Sequence, residues 1–208
     1  MADYARAASA AAGVLLSADA GSARTNIRYL IDADPDTRLI RYSVMADRLP
    51  CRSVAAFTER YAESEVSYTK YDRRTGTYYV FYNDTLPLRQ VRSNLAHEYA
   101  HVLLRHTRGN GNNDEENEAL CCARLLMCPA PVADVLQLDD VRRYMAVFGV
   151  DAELASSALR FRDFDREALE AAAPDLLGRY VTRLALSRGR LSRLARASGS
   201  AWLDVWGE

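Results

Sequence analysis

Two histidines four residues apart, with a glutamate directly after the first, constrain this chain more than any other feature: His97-Glu98-Tyr99-Ala100-His101. On a helix, positions i and i+4 share one face. Two imidazoles placed there can grip one divalent ion, and the glutamate one step round can act on a water beside it. The chain holds only three histidines, so two-thirds of its imidazoles sit in this one stretch.

The surroundings are those of an ordinary globular chain. Its 208 residues suit one domain, or one domain with an appendage, and 49% hydrophobic content is enough for a real core. The formal net charge of -1 gives no global field for nucleic acid or membrane. No apolar run reaches the roughly 20 residues of a membrane span. The opening residues, with Ala18-Asp19-Ala20, mimic a signal cleavage site, but Asp3 beside Arg6 and the weak apolarity of alanine favour an Ala-rich helix. Cys121, Cys122 and Cys128 crowd together, apart from Cys51, with no paired Cys-x-x-Cys units. Reduced, core-packed thiols are expected.

Pattern and punctuation predict a mostly helical chain with a short β segment. Helices are expected over 2–17, 50–63 and 90–106, and from Asn113 to Met127, where Pro129 and Pro131 end the run. Shorter helical pieces follow at 132–138 and 140–148, then another capped by Asp151. Leu39, Ile40, Tyr42 and Val44 suggest a strand. Residues 66–71 and 77–82 alternate, and the five residues between them include Gly76, which predicts a hairpin. The tyrosines of 77–82 suit either a strand or an edge that faces a ligand. After Pro174 comes an Arg-rich segment with Leu177, Leu184 and Leu191 seven apart, ending in Trp202 and Trp206.

A catalytic zinc site needs three protein ligands and one open position. His97 and His101 supply two. His106 is the nearest third histidine, but it comes five residues after His101, where a metzincin has six, and Leu104 holds the place of the helix-breaking glycine. On a continuing helix its side chain lies about half a turn from His97. A surface or outer-sphere role is expected for it. The glutamates that open the next helix are the alternative. On a helical wheel Glu116 falls within the apolar face, Glu115 at its edge, and Glu118 well away from it. A carboxylate on a buried face needs a partner, so Glu116 is the expected third ligand. A capping box, with Glu116 three residues after Asn113, is the competing reading.

The run continues as His97-Glu98-Tyr99-Ala100-His101-Val102-Leu103-Leu104, a polar loop, Glu116-Asn117-Glu118-Ala119-Leu120, Ala123, then Leu126-Met127-Cys128-Pro129-Ala130-Pro131. In this order the motifs resemble the ImmA/IrrE family of zinc metallopeptidases, with Tyr79-Val80-Phe81-Tyr82-Asn83-Asp84 before them resembling the strand that leads into the motif helix. The resemblance covers roughly residues 65–162. Leu120 stands where the family has Asn or Asp, and Cys122 where it has Phe. The resemblance implies an α+β, zincin-like fold, mostly helical, with a small antiparallel sheet beside the active-site helix. The domain is expected over 1–168, with a helical extension over 169–208. It implies Zn²⁺ held by His97, His101 and Glu116, and Glu98 as general base for peptide hydrolysis. It also implies a bacterial cytoplasmic enzyme whose protein substrate is a helix-turn-helix repressor of a mobile element, prophage or stress regulon. No membrane association or direct nucleic-acid binding is expected. The alternative is a non-catalytic regulator that uses a zincin fold to bind a transcription factor.

Overall fold

Alanine spacing shapes the first helix. In the computed structural model, α1 (Tyr4–Ser17) buries Ala7, Ala8, Ala11, Ala12 and Leu15, a stripe small enough for a neighbouring helix to approach closely. The structure describes residues 1–17, 24–51, 53–107 and 112–174. The Arg-rich segment after Pro174, with Trp202 and Trp206, lies outside these residues. Next come α2 (Ile27–Ala33), capped by the Asn26 side chain at Tyr29 N–H, and β1 (Thr37–Arg41).

The expected strand through Val44 stops at Arg41, and α3 (Tyr42–Arg48) follows. Its first turn is capped from far along the chain. Asp84 accepts from the Ser43 N–H at 3.0 Å and from the Ser43 hydroxyl at 2.6 Å. Burial raises the Asp84 carboxyl, but the Ser43 hydrogen bonds, with a backbone N–H and the Arg41 charge, outweigh it and hold the pKa below the ordinary value. A cap supplied by a partner 41 residues away leaves no local signal. The helix α4 (Val54–Tyr61) is capped by Ser53.

The hairpin forms as expected from β2 (Ser67–Asp72) and β3 (Thr77–Tyr82), with Gly76 taking the left-handed turn position at φ 71°. The sheet is mixed, not antiparallel throughout. Its order is β1-β3-β2: β3 runs antiparallel to β2 and parallel to β1. A parallel partner needs a long crossover, and here α3, α4 and β2 intervene. The Tyr-rich strand is therefore central, and Tyr78 and Tyr82 are buried core residues. The reading of 77–82 as a ligand-facing edge is overturned.

The central helix α5 (Leu88–Leu103) begins after Pro87 and ends three residues before His106. Then come α6 (Asn113–Met127), α7 (Ala130–Val135), α8 (Val141–Phe148), α9 (Ala152–Arg160) and α10 (Arg162–Ala172). Pro131 lies inside the first turn of α7 instead of closing α6, because the first turn has no need of its N–H. The helix α10 passes through the expected boundary at 168/169.

The chain divides into two units. Among the described residues, 1–3 and those within 26–123 form the first, and 4–17, 24–25 and 124–174 the second. In the first, α5 packs on β2 and β3. Tyr68 of β2 points into a cluster with Tyr42, Ala46 and Phe57, which Phe81 of β3 joins. Tyr68 stacks on Phe81 with ring centroids 4.8 Å apart. In the second, α1 packs on α10, and Arg124 and Asp165 form a buried bidentate pair at 2.6 and 2.7 Å. Among the described residues no helix is long and apolar enough to cross a membrane.

Candidate metal centre

The site lies in the first unit and is built by α5 and the start of α6. Along α5, Leu95, Ala96, Tyr99, Ala100 and Val102 are buried, which fixes the rotation of the helix and the directions of the polar residues between them. His97 Nε2 lies 3.2 Å from His101 Nε2 and 3.2 Å from Glu116 Oε2. His101 Nε2 lies 3.6 Å from Glu116 Oε1. Three ligand atoms at tetrahedral angles around one ion, each about 2.0–2.2 Å from it, stand about 3.3–3.6 Å apart. The observed spacings fit that requirement. Among the described residues these three form the one His/Cys/Asp/Glu group close enough to hold an ion.

The trio is half open. The His97 and Glu116 side chains keep 24% and 35% of their surface, and His101 keeps 11%. A three-ligand site with an accessible side is what a catalytic metal needs, whereas structural sites close with four. His101 foremost, then His97, hold the Glu116 carboxyl well below the ordinary carboxylate range, against the opposing effect of burial. The carboxylate thus meets both imidazoles, as expected of a third ligand. The helix start has another partner: the Asn112 side chain accepts from Asp114 N–H at 3.1 Å.

Glu98 is buried at 5% exposure. The Ser67 hydroxyl donates to its Oε1 at 2.8 Å and the Thr69 hydroxyl to its Oε2 at 2.7 Å. Residues two apart on a strand share a face, so β2 turns both hydroxyls toward α5. Each carboxylate oxygen has a further lone pair for another proton. Ser67 and Thr69 had no motif to mark them. The available signal was two small hydroxyl residues flanking Tyr68, on the opposite face of the strand.

His106 and Glu118 depart from their expected places. The helix ends in a Schellman turn: Arg105 N–H donates to Val102 C=O and His106 N–H to His101 C=O, each at 3.0 Å. Arg105 takes the left-handed position at φ 51°. This turn folds His106 back over the last helical turn, so the continuing helix that sent it away does not exist. His106 Nδ1 lies 2.9 Å from His101 Nδ1, and His106 Nε2 lies 3.1 Å from Glu118 Oε2. Burial lowers the His106 pKa despite the Glu118 hydrogen bond. Both residues are only 6% exposed, which rules out a surface role for His106 and corrects the outward direction read for Glu118. By contrast Leu120, counted on the buried face, is 48% exposed. The wheel ranked residues by apolarity, and a mutually satisfied His–Glu pair is invisible to that ranking.

Nearby tyrosine and cysteine side chains are sequestered. Tyr99 is buried, and burial foremost pushes its hydroxyl up to about 12. Cys121, Cys122 and Cys128 are buried outside any disulfide, as core packing requires.

Helices that bring three N/O donors together, beside a glutamate anchored to a small sheet, define a zincin-like metallopeptidase scaffold. The chain belongs to the peptidase M78 family: the model of the IrrE N-terminal-like domain matches residues 51–160, more than half of its length. This is the ImmA/IrrE assignment that the ordered motifs implied. No curated protein and no solved structure matches the chain.

Proposed function

We propose that this chain is a zinc-dependent endopeptidase in which His97, His101 and Glu116 hold the ion and Glu98 is the general base. The observation that carries this reading is the convergence of three donor atoms with ligand spacing on the helix that also bears Glu98. An N₂O donor set with an open side suits zinc. When bound, the ion supplies Lewis acidity to the scissile carbonyl and lowers the pKa of water there. Glu98 takes the proton of the attacking water and returns it to the leaving amine. The hydroxyls of Ser67 and Thr69 hold its carboxylate in one orientation throughout.

The sheet supports an extended peptide as substrate. In its described part β2 is an edge strand, and it is the strand whose hydroxyls hold Glu98. An extended peptide can add to that edge by backbone pairing and lie along the glutamate. The proposed substrate is a helix-turn-helix repressor in a bacterial cytoplasm, cleaved to release transcription of a mobile element or stress genes. Residues 169–208 are proposed as a helical extension of a peptidase domain over 1–168, with α10 continuing across that boundary.

Metal analysis of gently purified protein, with cleavage assays on a candidate repressor, tests this reading. Wild type should hold about one zinc per chain and cut the repressor, and Glu98→Gln should keep the metal and lose cleavage. A wild type without divalent metal would favour a non-catalytic binding role.

A further inference from the structure

We propose that His106 and Glu118 are positioning residues that fix His101 as its Nδ1–H tautomer and so aim a bare Nε2 at the metal position. The proposal rests on the reading of His101 as a ligand, and it concerns residues that motif, ligand set and base leave unused.

Glu118 Oε1 accepts from the Asp3 N–H at 2.8 Å, and Oε2 lies 3.1 Å from His106 Nε2. An ionised carboxylate only accepts, so the proton between it and His106 sits on Nε2. A neutral imidazole has one N–H, which leaves His106 Nδ1 bare. That nitrogen is 2.9 Å from His101 Nδ1. Only one of two nitrogens so placed can carry the proton, and it is therefore the one on His101. With its single proton on Nδ1, His101 has a bare Nε2, and that is the atom 3.2 Å from His97 Nε2 and 3.6 Å from Glu116 Oε1. The opposite arrangement would put a proton where a ligand lone pair is required.

Two further features make the chain a built device. His106 and Glu118 are both buried, so bulk water does not stand in for either. The Schellman turn fixes the backbone of His106 through its own N–H to the carbonyl of His101. The same pair of residues is thus joined twice, once through backbone and once through rings. Partners of this kind, set behind a metal-binding histidine, orient the ring and raise its basicity, and their removal costs 10–100-fold in metal affinity. Here the carboxylate acts through an intervening imidazole.

Long-range ¹⁵N–¹H correlation spectra of the labelled full chain, with and without one equivalent of Zn²⁺, give the direct test. Three histidines give three ring systems. In the zinc-loaded protein we expect His101 to carry its proton on Nδ1, and His106 to carry its proton on Nε2 with Nδ1 bare. A proton on His106 Nδ1 overturns the proposal. Zinc affinity, measured by competition with a chromophoric chelator, gives the second arm. His106→Leu and Glu118→Leu should each weaken it about 10–100-fold. His106→Gln should recover most of the loss, since its amide oxygen can accept from His101 and its amide nitrogen can donate to Glu118. Unchanged affinity in both leucine variants, or a glutamine variant no better than leucine, overturns the relay. If the leucine variants do not fold, the wild-type spectrum decides alone. A wild type that takes up no zinc overturns the metal reading itself, whereas bound zinc with the wrong proton pattern overturns only the relay.

Discussion

The Thr69 hydroxyl donates to Oε2 of Glu98 at 2.7 Å and so ties the edge strand of the sheet to the proposed base on α5. Thr69→Val keeps the shape and removes the donor. A buried carboxylate oxygen that loses its partner costs about 1–3 kcal/mol. The same change frees the carboxylate to turn, so turnover should fall about tenfold, within the range that mispositioning of a reacting group produces. Zinc content should not change. Peptide hydrolysis and metal analysis on the same preparation check this, and a variant with normal turnover would remove Thr69 from the catalytic apparatus.

Glu116 and Glu118 stand two residues apart on α6 and meet different histidines. Glu116 faces His97 and His101; Glu118 faces His106. Glu116→Ala should therefore reduce zinc affinity by more than about 100-fold, beyond the range that outer partners cover. Glu118→Ala should fall inside that range. Chelator competition ranks the two, and the reverse ranking would make Glu118 the ligand.

The grouping of His97, His101 and Glu116 was legible because metal chemistry restricts residue type and because a carboxylate on a buried face needs a partner. The hairpin was legible because strand alternation and a turn glycine are local signals. What escaped the sequence depended on distant partners. The helix α3 is capped by Asp84, and β1 pairs with β3 across two helices and a strand. His106 was misplaced because a left-handed Arg105 ends α5. Arginine gives no warning of a conformation that usually calls for glycine. Glu118 was misplaced because its burial is balanced by His106, and a scale of single-residue apolarity has no way to score a pair.

In the second unit Arg124 and Asp165 are an almost fully buried pair, with Phe161 lying 4.6 Å from the guanidinium carbon. Removing one partner takes away the bidentate pairing that offsets the burial of the other charge. Asp165→Ala should cost about 3–5 kcal/mol, whereas the double replacement Arg124→Met with Asp165→Leu should come close to wild type. Urea denaturation of both variants measures the difference. A double variant as unstable as the single one would show that the pair contributes packing that apolar residues cannot replace.

Asp134 sets the sign of one contribution to acid stability. Burial, the largest single influence, raises its carboxyl, but the hydrogen bonds and charges of Arg166 and Arg162 together outweigh it and leave the pKa below the ordinary value. A folded pKa below the unfolded value of about 3.9 means that the unfolded chain binds the proton more readily. The stabilisation is therefore present above pH of about 4 and is lost as the pH falls through the folded value. Because the cluster is partly exposed, with 30% of the Asp134 side chain accessible, solvent screening limits its contribution to about 1 kcal/mol. Asp134→Asn should lower the stability by up to that amount at pH 7, with the difference from wild type shrinking by pH 3. Paired urea melts at the two pH values measure it. A difference of equal size at both would mean that the lost contribution is packing or neutral hydrogen bonding, not the charge of Asp134.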